Sequence, residues 1–241
     1  MIYFLLYPVF FSVFRLLARV LGRMHSTGET FVPRTGPVIY CPNHVSDADP
    51  PVVFVCLPRR AWFIAKSELF AVPGFGWVLS RFHAFPIKRD TADRTALRRA
   101  EGVLRRGEPL VIFPEGRCAQ DGKLQRMQPG AALLSVRTGA PIVPIGLRHT
   151  NELLPYGAKF PRFSRHPVRV DFGPPIRRAD FAHLPRGAVV DAMTRKLGEE
   201  LARLTQQSPP PAPPPGLLKR AKQQAEEPAS EASMTEASAP A

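Results

Sequence analysis

The segment Asn43-His44-Val45-Ser46-Asp47-Ala48-Asp49 places a histidine five residues ahead of an aspartate, directly after the apolar Val38-Ile39-Tyr40. An imidazole whose Nδ1–H is tied to a carboxylate has its tautomer fixed, and its Nε2 is left to take a proton from an attacking hydroxyl. Five residues on a regular helix lie about 140° apart around the axis, so the pair can form only if His44 precedes the first helical turn. Ser46 or Asp47 is suited to cap that helix. That leaves Asp49 as the orienting carboxylate, with Asp47 as the alternative partner. Taken alone, the segment is no more than a capped helix beside a histidine.

Three further clusters change its weight. Val111 to Leu124 is an apolar strand running into Pro-Glu-Gly-Arg, where Gly116 lets a ligand approach the backbone and Arg117 offers a fork of donors suited to phosphate. Phe85 to Asp90, FPIKRD, is another strand that ends in the cations Lys88 and Arg89, and Lys66 is a candidate extra cation. Ala140 to Leu147, APIVPIGL, is an apolar strand interrupted by Pro144. In parallel α/β sheets ligands bind beyond the carboxyl ends of the strands. A general base beside fixed cations at one rim is what acyl transfer to a phosphate-bearing alcohol needs. The three cysteines, Cys41, Cys56 and Cys118, show neither disulfide nor zinc spacing and fit a reducing compartment. His44 and its aspartates have no second ligand cluster, so no metal is expected.

The elements that must position these groups follow from periodicity. Strands are expected at Val38–Tyr40, Trp62–Ala65, Ala84–Ile87, Leu110–Phe113, Ile142–Ile145 and Val168–Phe172. Helical stripes run over Ala92–Leu104, Gln128–Thr138 and Val190–Leu204. Strands alternating with helices predict an α/β fold with a mostly parallel central sheet flanked by helices. Residues 1–24 read as an N-terminal membrane-interfacial helix. The apolar stretch before Arg15 is too short to span, and Arg15, Arg19 and Arg23 recur on one face with Leu16, Leu17, Val20 and Leu21 on the others. Residues 25–207 form the body, and the Pro-rich 208–241 reads as a disordered tail. The chain's formal charge is +13; the tail has three basic and four acidic residues, so the remainder carries +14. That charge calls for an anionic partner. Nucleic acid is disfavoured because no aromatic-interleaved basic face or recognisable module is present.

Asn-His-Val-Ser-Asp-Ala-Asp, FPIKRD, FPEGR and APIVPIGL, in this order and spacing, resemble the four motif blocks of the glycerolipid acyltransferases. The resemblance covers roughly residues 25–175 and is to the bacterial 1-acyl-glycerol-3-phosphate (lysophosphatidic acid) acyltransferase family. It implies a membrane-associated enzyme at the cytoplasmic face of the inner membrane, with acyl-CoA or acyl carrier protein as co-substrate and no other cofactor. It implies His44 as general base and Asp49 as its orienting partner, with direct attack and no acyl-enzyme. Arg89, Lys88, Glu115, Gly116 and Arg117 would bind the acceptor, lysophosphatidic acid, and Pro141 and Pro144 would line the acyl-donor side. The family's third block most often carries a threonine before its arginine, whereas Arg117 follows Gly116 directly. Glycerol-3-phosphate, a lysophospholipid or a lyso-aminolipid are alternative acceptors. A non-catalytic basic protein that binds membranes peripherally is the reading from another class.

Overall fold

The computed structural model describes residues 12, 13, 15–81, 83–87 and 93–211. Seven strands form one sheet: β1 (His25–Thr27), β2 (Ile39–Pro42), β3 (Trp62–Lys66), β4 (Ala84–Ile87), β5 (Leu110–Val111), β6 (Ile142–Arg148) and β7 (Arg169–Phe172). Their spatial order is β1-β7-β6-β2-β5-β3-β4. The strands β6, β2, β5, β3 and β4 run parallel, while β7 lies antiparallel to β6 and carries β1 with it. Between β6 and β7 the only helix is the single turn α7 (Thr150–Leu153).

Residues 15–22 are helical and are called α1. The other helices are α2 (Asp49–Cys56), α3 (Ser67–Phe70), α4 (Phe75–Arg81), α5 (Arg94–Arg105), α6 (Gly130–Thr138) and α8 (Val189–Thr205). Helix α5 starts where the Asp93 carboxylate accepts the Thr95 and Ala96 amides, and its buried stripe is Ala96, Ala100, Val103 and Leu104. Side chains alternate along each strand. Ile39, Leu110 and Ile142 pack against α5, α6 and α8, whereas Tyr40, Val111 and Val143 pack against α2.

Helices α2 and α6 therefore leave the neighbouring strands β2 and β5 toward opposite faces of the sheet. Such a divergence opens a crevice at the strands' carboxyl ends.

Helix α1 differs in part from the sequence expectation. It docks on the body through Ala18, Leu21 and Gly22, while Val13, Leu16, Leu17 and Val20 face outward. Arg23 has left the helix at φ 45° and donates to the Ser164 and Arg165 carbonyls. The rest of the apolar N-terminus lies outside the described residues. The tail expectation also falls largely on residues outside them, from 212 onward. The body extends past residue 207, however, because Pro210 packs close against Gly198.

Candidate active site

Strand β2 delivers the His44–Asp49 segment, and Asn43 extends its pairing. The Asn43 side-chain oxygen accepts the Leu147 amide at 2.6 Å, and its nitrogen donates to the Leu147 carbonyl at 3.1 Å. This buried amide thus continues the β2–β6 ladder by one position and fixes where His44 starts.

His44 Nδ1 lies 2.9 Å from Asp49 Oδ2. The same oxygen accepts the amides of Val45 at 2.7 Å and Ser46 at 2.8 Å, so the chain between the two residues is folded around the carboxylate. Asp49 is fully buried and His44 nearly so. Of the two aspartates left open by the sequence, the structure selects Asp49; Asp47 is exposed.

The capping expectation is corrected. The residue at the N-cap of α2 is Ala48, which has no side-chain cap bond, and Asp49 occupies the first turn. Ser46 instead accepts the Ala48 amide at 3.0 Å and donates to the Leu154 carbonyl at 2.6 Å. The Phe113 ring packs on the imidazole, with centroids 4.4 Å apart.

The third cluster closes on His44 from the adjacent strand β5. Glu115 Oε1 accepts the His44 amide at 2.8 Å and Oε2 accepts the Gln125 amide at 2.8 Å. Four residues later, the Ala119 amide donates to the His44 carbonyl at 2.7 Å. Both peptide groups of His44 are thus gripped by one short segment, and Arg117 stands in its middle, exposed. Gly116 makes that turn at φ 75°, a conformation that costs a side-chain-bearing residue energy. Both oxygens of Glu115 hold backbone amides, so it braces the site. Burial pushes its carboxyl up to about 7, against the opposing pull of the Gln125 and His44 amides.

The remaining sites are placed unevenly. Lys88 and Arg89 lie outside the described residues. Strand β4, which leads into them, ends on the same rim as β2 but three strands away, a lateral separation of about 14 Å. Lys66 ends β3 on that rim and pairs with Glu68 at 3.3 Å.

Pro141 and Pro144 are corrected. Pro141 stands at the amino end of β6, where its carbonyl accepts the Ile39 amide; the length of β2, roughly 13 Å, separates it from His44. Pro144 is buried in β6 in register with Cys41, and its ring faces Gly173 on the side of α8. Its carbonyl accepts the Gly173 amide just beyond the end of β7, where the missing proline N–H breaks no ladder bond. The fourth block therefore packs the sheet onto α8. Glu115 and Asn43 were legible as polar residues within motifs, but nothing in the local pattern shows that their partners are backbone groups.

A sequence profile of the family described as Acyltransferase matches residues 23–148, just over half of the chain. The 1-acyl-sn-glycerol-3-phosphate acyltransferase of Bacillus subtilis (strain 168) is 32% identical over 149 residues, covering 61% of this chain and 70% of that protein. The chloroplast 1-acyl-sn-glycerol-3-phosphate acyltransferase of Brassica napus is 32% identical over 51% of this chain, and the match spans about a third (36%) of its own length. The crystal structure of the 1-acyl-sn-glycerophosphate acyltransferase PlsC from Thermotoga maritima superposes with a TM-score of 0.60 at 23% identity, covering 81% of each chain, a likeness of fold. The profile spans both the His44–Asp49 segment and the Glu115–Arg117 turn that grips it, and on that match the chain belongs to the acyltransferase family.

Proposed function

We propose that this protein is an O-acyltransferase that moves a fatty acyl chain from a thioester to the free hydroxyl of lysophosphatidic acid, giving phosphatidic acid. The observation that carries the reading is the buried His44–Asp49 pair, whose backbone is gripped by the Glu115–Ala119 segment that carries Arg117. Nδ1 is engaged by Asp49, so Nε2 takes the acceptor's hydroxyl proton as its oxygen attacks the thioester carbonyl. The adduct collapses, the carbon–sulfur bond breaks, and the imidazolium returns its proton to the departing thiolate. Asp49 stabilises the imidazolium in between. No acyl-enzyme forms, and no cofactor beyond the thioester is required. Arg117 binds the acceptor's phosphate, joined by Arg89 and Lys88, which follow strand β4 in the sequence.

The acyl chain has a better receptacle than the prolines of β6. An apolar crevice of about 120 Å³ opens between α1, α2 and α7, walled by Leu17, Leu21, Val52, Leu153 and Leu154. Ala48, immediately before Asp49, also lines it. Acyl-CoA and acyl carrier protein are both anionic donors that suit the basic body. No helix among the described residues is long and apolar enough to cross a membrane; the outward apolar face of α1 supports association with the cytoplasmic surface of the inner membrane.

The test is thiol release by the purified full chain with each donor and a panel of acceptors: lysophosphatidic acid, glycerol-3-phosphate, a lysophospholipid and a lyso-aminolipid. Lysophosphatidic acid should give the highest kcat/KM, and a chelator should have no effect. His44→Ala should remain folded and lose at least about a hundredfold in kcat. Parental turnover in that variant would sink the mechanism, and a preferred acceptor other than lysophosphatidic acid would reassign the substrate.

A further inference from the structure

The stretch Pro155–Arg165 contains Tyr156, Phe160 and Phe163 with Lys159, Arg162 and Arg165, and no acidic residue. Residues 156–163 are exposed without a break, Phe160 to 81% and Phe163 to 71%. Aromatic side chains presented together in this way mark a surface that something covers.

The backbone beneath them is fixed. The Arg162 amide donates to the Leu153 carbonyl and the Ala158 amide to the Pro155 carbonyl, both at 2.9 Å. The Ser164 amide donates to the Leu21 carbonyl of α1 at 3.0 Å. The loop's base is closed by Glu152. Its Oε2 accepts the His166 amide at 2.9 Å and the Ser164 hydroxyl at 3.2 Å. Its Oε1 faces Nδ1 of His166 at 2.8 Å and of His149 at 3.2 Å. The Glu152 carboxylate is therefore engaged by donors of the protein itself.

We propose that loop 155–165 is a second membrane-contact surface, which seats Phe160 and Phe163 in the headgroup–acyl boundary of an anionic monolayer beside α1. The inference rests on the membrane association proposed above and names the surface that achieves it. Pro161 of the loop and Leu17 of α1 wall the same crevice, so the loop continues the apolar face of that helix. Aromatic rings at the boundary, with lysine and arginine reaching acidic headgroups, are the composition such a surface requires. The loop also follows directly on Leu154, whose carbonyl takes the Ser46 hydroxyl of the proposed catalytic segment. Seating it would bring the mouth of the site to the lipid surface.

The test uses the full chain and vesicles of phosphatidylglycerol and phosphatidylcholine. Phe160→Ser/Phe163→Ser should lower the vesicle partition coefficient at least about tenfold, with an unchanged circular dichroism spectrum because both rings are exposed. A partition equal to the parent's would overturn the proposal. So would a parental partition accompanied by loss of a dimer in sedimentation, which would assign the surface to a second copy of this chain. Independently, Phe163→Trp should add fluorescence that doxyl-labelled lipid quenches, over the parent's own tryptophan signal; no added quenching would also overturn it. Turnover of a short-chain acceptor in monomeric solution should not change in the double serine variant. A parent without any turnover would count against the acyltransferase reading alone, because the partition and quenching measurements do not depend on it.

Discussion

Asp49 acts through position. One buried oxygen holds the histidine ring and the two amides between them, so the carboxylate sets both the tautomer and the shape of the loop. Asp49→Asn replaces charge-assisted bonds by neutral ones of the same length, and kcat should fall about 10²- to 10⁴-fold. Asp47→Asn, at an exposed position, should change stability by no more than about 0.5 kcal/mol and leave kcat at the parental value. Equal losses from the two variants would mean that the pair has been misassigned. Glu115 gives a second handle, read through pH. Burial holds its carboxyl at about 7, above the ordinary 4.5, so the folded state binds this proton more tightly than the unfolded state does. The associated stability is fully present below pH 4.5 and is lost as pH rises through about 7. Glu115→Gln sets a donor against a backbone amide and should cost about 1–3 kcal/mol. It has no such titration, so the Tm gap between parent and variant should narrow over that pH interval. A constant gap would show that Glu115 ionises as an ordinary surface carboxylate does.

At the scale of elements, the central contact is between β6 and α8, and Gly146 makes it possible. A Cβ at Gly146 would come within 2.5 Å of the Leu204 Cβ and 3.0 Å of its carbonyl carbon. Gly146→Ala should therefore destabilise by about 1–3 kcal/mol through displacement of the helix, seen as a lower denaturant midpoint; a parental midpoint would show that α8 shifts freely. The same strand shows what the sequence could and could not reveal. Helices α5, α6 and α8 and strand β4 were readable because each is specified by its own apolar spacing. APIVPIGL was readable as a strand, yet its prolines gave no sign of which end faces the site, since that depends on pairing with β2. Strand β1 is three polar residues held at the sheet edge by β7, including a Thr27 hydroxyl bond to Asp171, and carries no apolar pattern at all. The grips on the Asn43–His44 segment link positions 71 and 104 residues apart. Motif residues announce such partners only by being polar.

At the scale of the whole molecule, the proposed membrane association would combine two forces that respond differently to salt. The formal charge is +13, and it resides outside the proline-rich tail, so electrostatic attraction to an anionic bilayer belongs to the body. The outward residues Val13, Leu16 and Val20 at the N-terminus would contribute an apolar part that salt does not screen. The screening length shrinks from about 10 Å at 0.1 M salt to about 3 Å at 1 M, and each basic residue near an acidic surface is worth about 1 kcal/mol at physiological ionic strength. Raising sodium chloride from about 0.1 to about 1 M should therefore cut the partition onto phosphatidylglycerol vesicles at least about tenfold. Onto purely zwitterionic vesicles the partition should be weaker and nearly salt-independent. The KM for an acceptor presented in acidic vesicles should rise in parallel, because the bound fraction sets the encounter rate, whereas kcat on a monomeric short-chain acceptor should stay constant. A partition onto acidic vesicles that ignored salt would show that the basic body faces away from the bilayer and that the apolar face alone holds the protein there.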